Sequence, residues 1–412
     1  MLNNLQKFYG KGVRNQFSFA KPAPNAFASL NFFTFLKGIT MQSAQHHAQT
    51  NGDLSTSKPH LASVPDVDVL PASEIPAVER IRLLKEIVGS PQPQAGLFPA
   101  ALQDHTHELW IKHVEPIFEA TWPEGFSGRD YKKLRFLTCN LYASAPYTVL
   151  FCSERAPWMI RWAASAASAF PFSPGALHRG ASVILKLFSQ FSSGVDHRRI
   201  VMISAFISTI DHAFDHFMGE LTPKERERRI KGLLDGTWEA DHGSLKFTRA
   251  LQVAMAEGIQ ETDRPAFDAA LQRVVEWCES EVAGLLGEPD PKDLGHRLAG
   301  VEGTIDGLIF PVHRFAGQKA RQWMYDVSMF TQMMDDWIDY EADSQDVRET
   351  PVISGKWNLS LIREKWIETE NGIIDLAKEA GFDEPTYLNF IRESYSYMMC
   401  QVMDAMTDGM AA

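Results

Sequence analysis

The strongest helical pattern in this chain reads Asp326-Val-Ser-Met-Phe-Thr-Gln-Met-Met-Asp-Asp-Trp-Ile-Asp-Tyr-Glu-Ala-Asp343. Its polar residues recur at intervals of four or three residues, at Ser328, Gln332, Asp335, Asp339 and Asp343. Residues at this spacing lie on one face of an α-helix, and most residues between them are apolar. The pattern therefore predicts a helix with a stripe of carboxylates along an otherwise apolar surface, with Asp336 and Glu341 beside the stripe.

A second stretch, Ile200–Glu220, repeats this arrangement nearer the N-terminus. Its polar stripe comprises Ser204, Ser208, Asp211 and Asp215, at intervals of four, three and four residues. The rest of this helix is mostly Val, Met, Ile, Ala and Phe, and a helix that is apolar nearly all round is buried. A polar stripe on a buried helix must face a partner or a cavity. We therefore predict that the two stripes lie face to face in the folded protein.

The carboxylates within each stripe repel one another. Two of them one helical turn apart, at about 6 Å, repel by about 3 kcal/mol at an effective dielectric constant of about 20. The neighbouring Met333, Met334 and Trp337 indicate burial, so a cation is expected between the stripes. Carboxylate oxygens suit Mg²⁺, which keeps several waters and binds substrate phosphates. The alternative is an acidic helix face that is solvated or paired with Lys and Arg.

Helical periodicity continues along the chain from Ile75 onward. The predicted helices are separated by Pro, Gly, Asp and Asn, as in Gly287–Pro291. Runs of alternating β-branched residues, which are typical of strands, are lacking, and no internal repeat is present. We therefore predict an all-α fold with a single large helical bundle over residues 76–412. Residues 1–75 have little regular periodicity and are predicted to form a disordered tail.

The N-terminal stretch has an unusual charge balance. Residues 1–52 contain five Lys and Arg residues and no Asp or Glu. A transit peptide has this character, but so does upstream sequence that a wrong start assignment would include, with Met41 as the true first residue. We expect a cytoplasmic protein, with organellar targeting by residues 1–40 as the alternative.

Composition excludes several classes of protein. Hydrophobic residues make up 45% and charged residues 22% of the chain, which is the balance of a folded globular protein. The net charge of -12 argues against binding to nucleic acid, because phosphate neutralisation needs a basic face. No apolar run is long enough to predict a transmembrane segment. The four cysteines are far apart and form no CxxC pair, so we expect reduced thiols.

Together, the two stripes resemble the metal motifs of the isoprenoid synthase superfamily over roughly residues 130–400. Asp211-His-Ala-Phe-Asp215 is similar to the aspartate-rich first motif, although His212 stands where many members have a second Asp. Asp335-Asp-Trp-Ile-Asp339-Tyr-Glu-Ala-Asp343 is similar to the second motif, with Asp at positions where many terpene cyclases have Asn, Ser and Glu. This form also resembles the large bacterial terpene synthases typified by tetraprenyl-β-curcumene synthase.

The resemblance implies a bundle of the isoprenoid synthase type with a central active-site cavity. It also implies a class I terpene synthase, which ionises a prenyl diphosphate to an allylic carbocation and releases diphosphate. The metal ligands and catalytic carboxylates would be Asp211, Asp215, Asp335 and Asp339, joined by Asp343 as a further ligand. They would hold a cluster of Mg²⁺ ions, commonly three, which neutralise the leaving group. A homodimer is left open.

Further residues are candidates for substrate contacts. The predicted diphosphate donors are Arg297, Arg314, Arg348 and Lys356, since a diphosphate needs guanidinium or ammonium partners; ordinary surface charges are the alternative. Arg297 precedes a Gly-rich stretch that we interpret as a helix break lining the pocket. The predicted pocket aromatics are Phe206, Phe214, Phe310, Phe330 and Trp337, and plain core packing is the alternative for all five.

Other functions compete with this hypothesis. A condensing enzyme of the squalene or phytoene synthase kind shares DxxxD motifs, and a chain-elongating prenyltransferase would normally carry a fuller first motif. A di-iron bundle needs two Glu-x-x-His motifs, and only Glu239–His242 fits that spacing. The non-enzymatic alternative is a helical binding protein whose acidic stripes contact a basic partner.

Overall fold

The computed structural model of the chain describes residues 71–91, 93–121, 128–151, 195–217, 221–237, 243–285, 294–345 and 350–407. All of these residues belong to one compact unit. Their regular structure is entirely helical, with no strand among them, which confirms the predicted all-α class. The predicted tail lies outside them except for its last five residues. Among the described helices, none combines the length and the apolar character that crossing a membrane requires.

Among the described residues before position 152, the structure has five α-helices. These are α1 (Ala77–Val88), α2 (Leu97–His113), α3 (Glu115–Thr121), α4 (Gly128–Phe136) and α5 (Ser144–Phe151). A π-helical turn, Leu137–Tyr142, joins α4 to α5. Short 3-10 turns at Ala72–Glu74 and Pro93–Gly96 precede α1 and α2.

The second part contains the helices that carry the two stripes. They are α6 (His197–Phe217), α7 (Pro223–Asp235), α8 (Gly243–Ala256), α9 (Arg264–Leu285), α10 (Leu294–Ile309), α11 (Gln318–Ile338), α12 (Tyr340–Gln345), α13 (Leu359–Glu379) and α14 (Pro385–Thr407). A 3-10 turn, Phe310–Val312, follows α10. The predicted stripes therefore lie on α6 and along α11 and α12.

Local sequence signals explain where several helices begin and end. Thr222 and Glu225 form a capping box at the start of α7, and Pro223 occupies its first position. Gly236 ends the same helix in the left-handed conformation, with φ of 77°. At the start of α13, the side chain of Asn358 accepts a hydrogen bond of 3.0 Å from the backbone N–H of Leu361.

Helix α6 lies in the core, as its apolar composition predicted. Every residue from Ile200 to Ile210 is buried. The two serines of the first stripe have partners within the helix itself: Ser204 Oγ donates to Ile200 O at 2.9 Å, and Ser208 Oγ donates to Ser204 O at 3.2 Å. Since hydroxyls can bond to the preceding turn in this way, their burial requires no polar partner on another helix.

Helix α10 packs closely against α9 because glycines remove the side chains between them. A Cβ atom built on Gly303 would collide with the backbone oxygen of Arg273, and one on Gly307 would lie 2.6 Å from Cγ2 of Val274. The Gly-rich stretch after Arg297 is thus part of a continuous helix, Leu294–Ile309. The predicted helix break is wrong, since these glycines allow close helix packing instead of ending the helix.

Candidate functional site

The second stripe lies on a helix that has no exposed residue between Trp323 and Ile338. Within this range every residue is either buried or partly exposed, and most of the partly exposed residues fall on one side of α11. We call this side the recessed face and define it by Tyr325, Ser328, Gln332, Asp335 and Asp339. These residues are partly covered by their surroundings and still reach solvent, as residues of a ligand-binding surface must.

The helix bends at Asp339 without breaking the stripe. Helix α11 ends at Ile338, and Asp339 has φ of -85° and ψ of 11°. Asp339 nevertheless donates its backbone N–H to Asp335 O at 2.9 Å, and Asp343 donates to Asp339 O at 2.9 Å. These bonds keep the three aspartates one turn apart across the bend. Asp335 and Asp339 are partly exposed, whereas Asp343 is buried.

The two acids predicted beside the stripe have partners of their own. Asp336 is buried, and its Oδ1 accepts a hydrogen bond of 2.9 Å from Nε2 of Gln332. Glu341, at the start of α12, forms an ion pair with Arg80 of α1. The stripe is therefore formed by Asp335, Asp339 and Asp343, and the neighbouring acids help to hold the helix around it.

Arg80 is a buried arginine that the sequence analysis missed. Its side chain is only 1% exposed. Nε donates to the carbonyl of Trp337 at 3.0 Å, Nη1 donates to the carbonyl of Ile75 at 2.7 Å, and Nη2 pairs with Glu341. A signal was present, because Arg80, Leu83 and Leu84 have the spacing of one buried helix face. A charge in such a position needs buried partners.

The N-terminal half of α11 is joined to α10 by a polar network. Asp306 of α10 accepts hydrogen bonds from Tyr325 Oη at 2.7 Å and from Arg321 Nη1 at 3.1 Å. Nε of Arg273 on α9 lies 3.4 Å from the same carboxylate. Burial and the bond to Asp306 raise the pKa of Tyr325 to about 12. Since Tyr325 belongs to the recessed face, this face is turned toward α10 at that level.

Helix α10 also packs against α6, which carries the first stripe. Cδ1 of Ile207 would lie 3.6 Å from a Cβ atom built on Gly307. Asp211 follows Ile207 by one helical turn, and Asp215 follows by two. The backbones of both aspartates belong to α6, but their side chains lie outside the described residues. One helix, α10, is thus the common neighbour of the two aspartate-bearing helices.

The four predicted diphosphate donors occupy different surroundings. Arg297 lies in the first turn of α10, although its side chain is not described. Arg314 is exposed, and its Nη2 lies 2.7 Å from Oδ2 of Asp263. Lys356 is exposed shortly before α13, and Arg348 lies outside the described residues. Only the side chains of Arg314 and Lys356 are therefore described, and the binding of all four residues to diphosphate stays a prediction.

The predicted pocket aromatics that are described all lie in packed surroundings. Phe206 and Trp337 are fully buried, and Phe310 packs edge-on against Phe267 with ring centroids 5.3 Å apart. Phe330 contacts Trp366 of α13, at 5.1 Å between centroids. Phe330 also lies about 140° around α11 from Asp335. These placements favour the core interpretation, while the side chain of Phe214 lies outside the described residues.

A buried polar chain at the other end of α6 was also missed. Tyr147 Oη lies 3.1 Å from Nε2 of His105 and 2.8 Å from Nδ1 of His197. Burial and the neighbouring His105 lower the pKa of His197 to about 4. His197 precedes Asp211 by fourteen residues, or about 21 Å of helix. This chain joins α2, α5 and α6 and is separate from the stripe.

The described donors of the second stripe suit a hard divalent cation. Asp335 and Asp339 present carboxylate oxygens on a face that solvent reaches, and such oxygens are what Mg²⁺ prefers. Among the described side chains, no group of three or more His, Cys, Asp and Glu residues is close enough to hold a metal ion. That set does not include the side chains of Asp211 and Asp215.

Chemically, the recessed face offers negative charge in a partly enclosed space beside a helix that also contacts α6. Such an arrangement can bind divalent cations, or a basic partner, more readily than an anion by itself.

Comparison of the chain with protein-family models, with curated proteins and with solved structures finds no match.

Proposed function

We propose that this protein is a magnesium-dependent class I terpene synthase that ionises a prenyl diphosphate and releases diphosphate. The observation that carries the proposal is the position of Asp335 and Asp339, which are partly exposed on a helix that has no exposed residue from Trp323 to Ile338. Carboxylates in such a recess repel one another more strongly than on an open surface. A bound divalent cation relieves that repulsion.

The packing of α10 supports a shared site between the two stripes. The recessed face of α11 meets α10 at Asp306, and Ile207 of α6 meets α10 at Gly307. These contacts on α10 are made at consecutive residues, so α6 and α11 approach it at the same level. The proposed active site lies where the Asp211 end of α6 and the Asp335 end of α11 extend beyond this level, in a cavity of the isoprenoid synthase type.

In this proposal the chain holds the leaving group and protects the reacting cation. The metal ligands would be Asp211 and Asp215 of α6, together with Asp335, Asp339 and Asp343. When bound, Mg²⁺ neutralises the diphosphate and favours its departure. By fixing where the positive charge of the metal ions lies, the carboxylates orient the diphosphate end of the substrate. The apolar residues of both helices exclude water from the prenyl chain, which prevents premature capture of the carbocation.

Arg297 is the predicted donor that best fits this arrangement. It lies in the first turn of α10, the helix that contacts both α6 and α11. A guanidinium there would contact a diphosphate through paired N–H groups. Arg314 fits less well, because it is exposed and already paired with Asp263. Lys356 and Arg348 follow the second stripe and remain candidates for closing over the diphosphate.

The proposal is tested by incubating the purified full chain with prenyl diphosphates from C10 to C35 in the presence of Mg²⁺. We expect release of inorganic diphosphate from at least one substrate, a terpene product detectable by mass spectrometry, and loss of both on addition of EDTA. The matched control replaces Mg²⁺ with Ca²⁺, which prefers more ligands at longer distances.

The products of the same assay separate the competing functions. A condensing enzyme would give a product with twice the carbon number of its substrate, and a chain-elongating enzyme would require isopentenyl diphosphate. A helical binding protein would release no diphosphate. Absence of release from every substrate with both Mg²⁺ and Mn²⁺ would overturn the proposal.

A further inference from the structure

We propose that Arg80 is a positioning residue, whose buried guanidinium fixes the bend at Asp339 and so sets where Asp343 lies relative to Asp335. The inference rests on the proposed function, because it gives Arg80 a part in binding the same divalent cations. Arg80 itself bonds to none of the three aspartates in the described contacts. Its influence on them must pass through the backbone of α11 and α12.

The guanidinium binds on both sides of the bend. Before it, Nε donates to the carbonyl of Trp337 at 3.0 Å. Carbonyls in the last turn of a helix lack partners within the helix and attract positive charge. After the bend, Nη2 pairs with Glu341, and the guanidinium carbon lies 5.2 Å from the ring centroid of Tyr340. Asp339 lies between these two sets of contacts.

The guanidinium is also fixed from outside α11 and α12. Nη1 donates to the carbonyls of Ile75 at 2.7 Å and of Ala72 at 3.2 Å. Helix α1, which carries Arg80, is in turn attached to α14 by a 2.6 Å ion pair between Lys85 Nζ and Asp404 Oδ1. The bend is therefore set by an anchor that is itself held to another part of the bundle.

The shape of the guanidinium matters as much as its charge. An arginine side chain presents five N–H donors in a planar fork, while a lysine presents three donors from one nitrogen atom. Lysine at position 80 would keep the positive charge but could not reach Trp337 O, Ile75 O and Glu341 together. Arg80→Lys thus separates the geometric role from a purely electrostatic one.

The direct test measures metal binding by the full chain. Manganese, used alone as the probe, is titrated into the wild-type protein, Arg80→Lys and Glu341→Gln, and free Mn²⁺ is followed by electron paramagnetic resonance. Loss of a residue that orients metal ligands typically weakens metal binding by about tenfold to a hundredfold. We expect Arg80→Lys to raise the Kd for Mn²⁺ about tenfold, and Glu341→Gln to raise it by less.

Kinetic measurements should show an effect on metal binding without an effect on substrate binding. In Arg80→Lys, the Mg²⁺ concentration for half-maximal diphosphate release should rise about tenfold, while the KM for the prenyl diphosphate at saturating Mg²⁺ should change little. A general loss of stability would not produce this split, because it would lower the active fraction without changing the metal dependence.

Arg199→Lys is the matched control. Arg199 is also partly enclosed, with Nε donating to Met255 O at 2.9 Å and Nη2 donating to Glu257 O at 3.0 Å. It lies in the first turn of α6, twelve residues before Asp211. The substitution removes similar bonds far from the proposed metal ligands, so the Kd for Mn²⁺ should equal that of the wild type.

The outcomes distinguish the inference from the proposed function. If the wild type binds Mn²⁺ and releases diphosphate while Arg80→Lys binds Mn²⁺ equally well, the inference is wrong and the function stands. An equal loss of affinity in Arg199→Lys would also overturn it. Should Arg80→Lys fail to fold, as judged by circular dichroism, an unchanged Kd in Glu341→Gln would decide against it. Absence of Mn²⁺ binding by the wild type would overturn the proposed function and the inference together.

Discussion

Helices α6 and α11 carry polar stripes of the same spacing, yet the described residues on these two helix faces have different surroundings. The serines of α6 are buried and bond to the preceding turn of their own helix. On α11, Tyr325 bonds to another helix, and Asp335 is partly exposed. Helical spacing alone therefore does not reveal a cavity. A hydroxyl can be satisfied within its helix, whereas an ionised carboxylate requires water, a cation or donors from elsewhere.

The largest expected effect comes from removing a carboxylate of the recessed face. Asp335→Ala should lower the rate of diphosphate release by about a hundredfold or more, because the negative charge that holds the divalent cation is lost. Ser208→Ala on α6 is the matched change and should retain the wild-type rate, since its hydroxyl bonds only within its helix in the described contacts. Initial rates at saturating Mg²⁺ and circular dichroism check both variants. If both variants lost the same fraction of the diphosphate-release rate, the proposed difference between the two stripes would be wrong.

The next effect concerns α10, which contacts both α6 and α11. Gly303→Ala should lower the free energy of unfolding by about 2–3 kcal/mol, because the new methyl group collides with the backbone of Arg273, which cannot turn away. Gly128→Ala is the control, because a Cβ atom there meets nothing within 4 Å. Urea denaturation measures both. Similar unfolding free energies for the two variants would contradict the close packing of α9 and α10.

The buried start of α6 should make stability depend on pH. The pKa of His197 is about 4 in the folded protein, against about 6.5 in an unfolded chain. Its contribution is therefore complete above pH 6.5 and is lost as the pH falls toward 4, because the unfolded chain binds the proton more readily. At pH 5 the loss is about 2 kcal/mol.

Urea denaturation of the wild type and of His197→Gln, at pH 7 and at pH 5, isolates this contribution. The wild type should lose about 2 kcal/mol more than the variant between the two pH values. Other titrating groups are common to both proteins and cancel in the difference. Identical pH dependence in the two proteins would show that His197 is not buried in its neutral form.

The smallest change in stability is expected at Tyr325, which lies at the N-terminal end of the recessed face. Tyr325→Phe removes a hydrogen bond to Asp306 and should lower the free energy of unfolding by about 1 kcal/mol. The carboxylate keeps its bond to Arg321, so no charge is left without a partner. Urea denaturation provides the measurement. A loss as large as that of Gly303→Ala would mean that the network holds α10 and α11 together more strongly than their packing does.

Features governed by local sequence were predictable. The helical class, the cap at Thr222 and the burial of α6 each follow from residues close together in the chain. The close approach of α10 to α9 was not predicted, because glycine usually weakens a helix. In this protein Gly303 is required by the nearby carbonyl of Arg273, a contact that involves another helix and leaves no local signal.

Within the candidate site, the aspartates of the second stripe were predicted from the sequence. The contacts of Arg80 with the helix segments that carry them were not. Spacing placed Asp335, Asp339 and Asp343 on one face, and the backbone hydrogen bonds bear this out. Arg80 was missed because its partners Trp337 and Glu341 lie more than 250 residues away in sequence. A charge on an apolar helix face indicates that a partner exists, but only the fold reveals which one.

The attachment of α1 has a consequence for synthesis of the protein. Arg80 bonds to residues of α11 and α12, and Lys85 pairs with Asp404 on α14. Lys85 and Asp404 are more than 300 residues apart in the sequence. Contacts of such long sequence separation form late, since a large loop must close before they contribute. During synthesis, α1 therefore cannot complete these contacts until α11, α12 and α14 have left the ribosome. A chaperone that shields Leu83 and Leu84 during this interval would raise the yield of folded protein.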